Sequence, residues 1–105
     1  MNHLISFEAL PWIEPAACIR YKLYKNGRQQ IRLAEFSDGF MEPDWCRKGH
    51  AGYVLQGSFA NDYNGKLECY KTGDSFFIPS GEEHKHKVIM ARGEKVLVLL
   101  FEVLD

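Results

Sequence analysis

Three histidines and one cysteine are the side chains of this sequence best suited to bind a metal ion. His84 and His86 lie two residues apart, so in an extended strand their side chains share one face and both project inward if either does. His50 is expected to approach from a neighbouring strand. Neutral imidazoles are good ligands for divalent transition metals, and Cys46 joining as a thiolate would favour zinc or copper. We therefore predict that His50, His84, His86 and Cys46 hold a divalent transition metal ion (Zn, Fe, Ni, Mn or Cu).

The same four side chains also have an ordinary structural interpretation. His84 follows Glu82 and Glu83, and a histidine at the start of a strand is often a surface residue paired with carboxylates. A free cysteine such as Cys46 usually packs in the interior as a small hydrophobic side chain. Metal binding therefore depends on whether the three imidazoles meet at one point inside the fold.

Side chains just before Cys46 are candidates for a ligand pocket. Phe40 and Trp45 could form an apolar wall for a small organic molecule, although aromatic residues of β proteins are mostly core. Glu42 could serve as an acid or base near the mouth of the pocket, although solvated surface carboxylates are the commoner case. The predicted ligand is a small polar metabolite.

The elements that must position these side chains are short strands. Runs of β-branched and aromatic residues recur between Gly, Pro, Asn and Asp, as is typical of a β sandwich or barrel. Asn26-Gly27 predicts a type I′ turn between two of them. The predicted strands are 17–25, 29–36, 50–59, 66–71, 75–78, 84–90 and 95–104, and 40–49 is a strand-plus-loop segment in which Pro43 prevents a regular central ladder.

The bulk composition excludes several classes of partner. Thirteen Lys and Arg oppose fourteen Asp and Glu in 105 residues, so there is no excess of positive charge for binding nucleic acid or anionic lipid. No segment has the roughly 20 apolar residues of a membrane span, and the N-terminus lacks the features of a signal peptide. Three widely spaced cysteines favour a reducing compartment. We predict a cytoplasmic protein with no nucleic-acid or membrane partner.

The most specific motif consists of Gly73, Pro79, Gly81 and His84, separated by five, one and two residues. It resembles the second motif of the cupin superfamily, with Val88 in place of the asparagine that often follows the histidine. Upstream, the segment from His50 to Gly57 resembles the closing half of the first cupin motif. The resemblance spans roughly residues 31–101 and implies an all-β fold, the antiparallel double-stranded β-helix or jelly roll of the cupin barrel.

The first motif departs from the family at its metal ligands. The family pattern implies an acidic residue where this sequence has His50, and a His-x-His pair shortly before it. One register places that pair on Asp44 and Cys46, which we favour; the other places it on Pro43 and Trp45, which cannot bind metal. The usual ligand set therefore does not transfer whole, only His84 keeps its residue type, and Asp44 joins Phe40, Glu42 and Trp45 as a predicted pocket residue.

We predict an N-terminal arm, residues 1–15, packed on the barrel or on a partner subunit, and a single cupin barrel over residues 16–105. The apolar residues of the arm and of the final strand predict a homodimer. Cupin barrels serve dioxygenases, isomerases, lyases and non-catalytic binders, so the fold does not choose a reaction. The alternative function is a metal-free binding or sensory module whose histidines hydrogen-bond an organic ligand.

Overall fold

The computed structural model describes residues 3–104, which form eight strands joined by short turns. All strand pairs among them are antiparallel. The strands are β1 (Ile13–Ala16), β2 (Ile19–Asn26), β3 (Gln29–Ser37), β4 (His50–Tyr63), β5 (Lys66–Lys71), β6 (Ser75–Ile78), β7 (Lys87–Ile89) and β8 (Lys95–Val103); 3-10 helices cover Phe7–Ala9 and Glu82–His84. The all-β antiparallel prediction is confirmed.

The two-residue hairpin turns differ in detail from the prediction. Asn26 pairs with Gln29, so the first turn is Gly27-Arg28, and only Gly27 has a positive φ, of 60°. The pattern of a type I′ turn, with positive φ at both central residues, occurs instead at Asn64-Gly65, where the angles are 56° and 106°. This turn lets β4 run past Asn61 and Asp62, which also resemble a turn signal in the sequence.

Strand β4 belongs to both sheets of the fold. Its first half pairs with β8 and β6 in a sheet of order β1-β2-β3-β8-β4-β6, and its second half pairs with β5 and β7 in a smaller sheet. The register with β8 shifts between Val54 and Gln56, which indicates a bulge. Gly57 follows with a φ of 84°. The chain crosses from one sheet to the other at this point.

The core lies between the two sheets. Side chains alternate in direction along β8, and Val96, Val98, Leu100 and Glu102 are its buried positions. The alternate positions of β8 stay partly exposed, so its outer face has no cover within residues 3–104. The buried apolar cluster comprises Ala34, Phe36, Val54, Phe59, Tyr70, Val96, Val98 and Leu100.

The N-terminal segment lies against β2. Arg20 and Lys22 sit over the Trp12 ring at 4.1 and 5.0 Å from its centroid, and Lys22 Nζ donates to the Phe7 carbonyl at 2.7 Å. Cation–π contacts of this kind contribute roughly 0.5 to 1 kcal/mol at exposed sites. No helix of the described residues is long and apolar enough to cross a membrane.

Candidate functional site

A cavity of about 630 Å³ lies between the sheets, with an aromatic wall and a polar end. The wall includes Phe59 and Phe76, whose rings meet edge to face at 5.8 Å between centroids. Gly52 makes room for Phe76, because a Cβ at this position would lie 2.3 Å from its ring. The other apolar side chains that line the cavity include Phe36, Phe40, Trp45, Val88, Val98 and Leu100.

One cross-strand row supplies much of the polar end. Glu102 pairs with Gln30 across the β8–β3 ladder, and the β8–β4 register brings Glu102 beside His50. Gln30 Nε2 donates to Glu102 Oε1 at 3.0 Å, and Arg32 Nε donates to the same oxygen at 2.6 Å. Burial alone would raise the pKa of Glu102, but His50, Arg32 and Gln30 stabilise the carboxylate more strongly and bring the pKa down to about 2.

His50 carries a buried polar atom that lacks a hydrogen bond. Its Nδ1 lies 3.6 Å from Glu102 Oε2, beyond hydrogen-bond distance, and has no hydrogen-bond partner among residues 3–104. The ring meets the His86 ring edge to face, with 5.1 Å between centroids. A buried polar atom without a hydrogen bond costs free energy, which a hydrogen bond to a bound molecule would recover.

His86 and Cys46 form an ionisable pair at the centre of the cavity wall. Their backbones exchange two hydrogen bonds, of 2.9 and 3.0 Å. This isolated β-bridge joins the residue just before β7 to the segment that precedes β4. Hydrogen bonding to the His86 ring lowers the pKa of the Cys46 thiol despite its burial. Burial opposes the His86 charge, yet Cys46, the His84 carbonyl and Glu42 raise the imidazole pKa. Each group therefore stabilises the charged form of the other, a thiolate and an imidazolium.

Glu42 is the second carboxyl group of the cavity. Its Oε1 accepts a hydrogen bond of 2.7 Å from the Val88 backbone N–H. Burial raises the pKa of Glu42, and the bond to Val88 and the charges of His86 and His50 act in the opposite direction. Together with the Cys46–His86 bridge, this contact fastens the segment 38–49 to β7.

The structure brings most of the predicted site residues together. His50, His86 and Cys46 line the cavity with Phe40, Glu42 and Trp45, and Phe40 also packs on Phe36 at 5.0 Å between ring centroids. The Lys85 and Lys87 ammonium groups lie 5.3 and 4.9 Å from the centroid of the Trp45 ring. Asp44 is exposed and accepts a hydrogen bond from the Trp45 N–H at 2.7 Å, so it lies outside the cavity lining.

His84 lies apart from the other histidines. The prediction that His84 begins a strand is wrong: it ends the 3-10 helix Glu82–His84, and the strand begins at Lys87. Residues two apart point to the same side only where the backbone is extended. The helix changes the backbone direction at His84, so His84 and His86 do not point to the same side. The His84 side chain is 40% exposed, with Nε2 3.8 Å from Glu83 Oε1, whereas His86 is 2% exposed.

Sequence reasoning missed several polar residues of the cavity, among them Gln30, Arg32, Asn61 and Glu102. The sequence does contain an indication for Glu102. This residue lies two and four residues after Leu100 and Val98, so in a strand its side chain points to the same side as theirs. Arg32 has the same parity as the buried Ala34. Asn61 resembled a turn residue and left no such signal.

The donor types in the cavity suit a transition metal, but their arrangement does not complete a site. His50, His86, Cys46 and Glu42 all line the cavity. Among residues 3–104, no group of three or more His, Cys, Asp or Glu side chains is placed to hold a metal ion. We therefore derive no chemical step through a metal ion.

Comparison with known proteins identifies the family. The cupin domain model matches residues 45–101, more than half of the sequence, so the chain belongs to the cupin domain family. No curated protein matches it.

Solved structures share the fold at low identity. The polyketide cyclase RemF from Streptomyces resistomycificus is 20% identical with a TM-score of 0.82, and the match covers 100% of this chain and 81% of RemF. KdgF from Halomonas sp. is 18% identical with a TM-score of 0.77, covering 100% of this chain and 96% of KdgF. An RmlC-like cupin from Shewanella frigidimarina is 19% identical with a TM-score of 0.72, covering 98% and 92%. These likenesses describe the fold alone.

Proposed function

We propose that this cupin binds a small organic molecule in the cavity between its sheets, with an apolar ring against Phe59 and Phe76 and polar groups directed to the histidine end. The observation that carries the proposal is the His50 Nδ1 atom, buried without a hydrogen-bond partner beside a cavity of about 630 Å³. A cavity of this size is typical of small-molecule sites, in which apolar walls supply affinity and a few polar groups fix orientation.

The Cys46–His86 pair gives this site an acid–base capacity. A ligand beside the pair meets either a thiol and an imidazole or a thiolate and an imidazolium. His86 Nδ1 already donates to the His84 carbonyl, so the exchangeable proton is the one shared by the Cys46 sulfur and the other ring nitrogen. In the charged form this proton can pass from the imidazolium to the ligand. Proton transfer to or from the bound molecule is the chemistry that these residues support.

Two matched variants of β7 test ligand binding. Val88 lines the cavity, whereas the next residue, Ile89, is 43% exposed. Phenol and its methyl ether, anisole, serve as ring probes and are titrated while amide resonances are followed by NMR. We expect both probes to shift resonances of cavity residues in the wild type and in Ile89→Trp, but not in Val88→Trp, whose larger side chain fills the cavity. Absence of such shifts in the wild type would refute the proposal.

The second candidate is a divalent transition metal, favoured by the donor types of His50, His86 and Cys46 and by the 5.1 Å separation of the two imidazole rings. Because no three such side chains among residues 3–104 are placed to hold an ion, these three would have to move closer together to bind it. Such an ion would supply Lewis-acid chemistry. Co²⁺ titration tests it, because a thiolate ligand gives a charge-transfer absorption band. We expect the band to disappear in Cys46→Ser and to weaken in His50→Ala and His86→Ala. His84→Ala is the matched control, and a weakened band there would restore His84 to the ligand set.

A further inference from the structure

A chain of hydrogen bonds runs from the protein surface to Asn61 in the cavity lining. It begins at Glu68, an exposed residue of β5, and passes through Tyr70 and Tyr63 to Asn61 of β4. The distances are 2.7 Å from Tyr70 Oη to Glu68 Oε1, 2.6 Å between the two tyrosine oxygens, and 3.3 Å from Asn61 Nδ2 to Tyr63 Oη.

The direction of this chain is determined by counting protons. A tyrosine hydroxyl has one proton, and Tyr70 donates its own to the Glu68 carboxylate. Tyr63 must therefore donate to Tyr70. The Tyr63 oxygen is left as an acceptor, and the Asn61 amide can satisfy it only through an N–H. Burial and the hydrogen bonds to Tyr63 and Glu68 raise the pKa of Tyr70, so its proton stays in place.

The orientation of the Asn61 amide follows from that direction. Its Nδ2 is committed to Tyr63, so its Oδ1 remains as the free acceptor. Asn61 is 2% exposed and lines the cavity, and Oδ1 has no hydrogen-bond partner among the described residues. A buried acceptor without a partner costs roughly 1 to 3 kcal/mol, which a donor on a bound molecule can recover.

The surroundings of Asn61 restrict what that donor can be attached to. The Tyr63 ring packs against the His86 ring at 5.8 Å, and the His86 ring in turn meets the His50 ring, so the imidazole of His86 contacts both rings. The Phe59 and Phe76 rings form the apolar wall. The complementary molecule is therefore a ring compound with a hydroxyl group.

We propose that Asn61 determines the specificity of the cavity by accepting a hydrogen bond from a hydroxyl group of the ligand, with its amide oriented by Tyr63, Tyr70 and Glu68. This inference rests on the proposed function. It adds that the ligand must be the hydrogen-bond donor in this contact. A ligand group that can only accept a hydrogen bond would face the Asn61 Oδ1 acceptor with no proton between the two atoms, and it would therefore bind more weakly.

Phenol and anisole test the inference because anisole carries a methyl group in place of the donated proton and can only accept a hydrogen bond at its oxygen. We expect the wild type to prefer phenol by about 5- to 100-fold in Kd, the range that one buried hydrogen bond supplies. Asn61→Leu should reduce this ratio to about one and retain binding of anisole. Tyr63→Phe should also reduce it, because the amide is then free to turn. Tyr53→Phe, a matched change on the exposed side of β4, should leave the ratio unchanged.

The outcomes separate the two proposals. Equal affinity of the wild type for both probes would refute the role of Asn61 and leave the binding cavity intact. Absence of binding by either probe would remove the proposed function and this inference with it. If Asn61→Leu is too unstable to purify, Tyr63→Phe provides the test, because it keeps the aromatic ring and changes a single hydroxyl group; an unchanged ratio there would refute the orienting role.

Discussion

Glu102 is the charged side chain around which the polar end of the cavity is built. Its pKa of about 2 lies below the 4.5 of an unperturbed glutamate. Because the folded-state value is the lower one, the stabilisation is complete above pH 4.5 and is lost as the pH falls toward 2. The difference corresponds to about 3 kcal/mol of folding free energy at neutral pH.

Glu102→Gln is expected to lower the unfolding free energy at pH 7 by about 3 kcal/mol, since it also leaves the Arg32 guanidinium without its carboxylate. The variant should lose the corresponding decline of stability between pH 4.5 and 2. Urea unfolding at several pH values measures both effects. The control is Glu35→Gln on the outer face of the same sheet, where the pair with Arg20 is more exposed and worth at most about 1 kcal/mol. Equal losses in the two variants would contradict this account.

Several residues singled out in the sequence line the cavity, but contacts that depend on distant strand pairing were not predicted. Cys46, Trp45 and His86 were identified from residue type and spacing. The contact between His50 and Glu102 depends on the register of two strands about fifty residues apart, which no local pattern encodes. His84 was misplaced because strand parity was assumed through a segment that turns as a 3-10 helix.

At the scale of elements, Gly57 marks the point where β4 passes from one sheet to the other. It combines a φ of +84° with close approach, because a Cβ there would lie 1.9 Å from the Lys95 carbonyl oxygen. Both requirements exclude any other residue.

Gly57→Ala is therefore expected to destabilise the protein far more than backbone strain alone would. Gly93 is the matched control: its φ is +79°, and a Cβ added there meets nothing within 4 Å. We expect Gly93→Ala to cost about 1 to 2 kcal/mol. Gly57→Ala should cost at least about twice as much or prevent folding, and thermal unfolding compares the two. Similar losses would mean that the approach of Lys95 is relieved by small backbone movements.

The strands themselves were well predicted from sequence, because alternation and turn residues are local signals. The predictions failed where two turn signals competed, as at Asn61-Asp62 and Asn64-Gly65. The second pair has the left-handed backbone that a two-residue hairpin needs, and β4 consequently gains its second half. The final apolar run was correctly predicted to be a strand, but the sequence left the element that covers its outer face unknown.

At the scale of the whole molecule, the larger sheet presents an apolar row on its outer side. Strand pairing aligns Tyr24, Ile31, Phe101, Ala51 and Phe77 across five strands. Phe77 is 79% exposed, and a groove of about 640 Å³ follows this row. Exposed apolar patches of this kind are typical of protein interfaces, and a two-fold dimer would pair the row with itself.

We predict that the chain forms a homodimer through this outer face. Phe77→Glu should shift the protein toward the monomer in sedimentation equilibrium, because a two-fold interface would receive the new charge twice. Its effect on the stability of the monomer should be small, since the side chain is already exposed. Leu67→Glu, at a 62% exposed position of β5 in the smaller sheet, is the control. A monomeric wild type at high concentration would contradict the prediction.

The strand shared by both sheets has a further consequence for how molecules enter and leave. Two sheets that share no strand can separate from each other. Here β4 belongs to both sheets and holds them together. We expect ligand exchange to require movement of the segment 38–49, which is held to β7 by Glu42 and to the residue before β7 by the Cys46–His86 bridge. Glu42, Cys46 and His86 would then both line the binding cavity and hold its entrance closed.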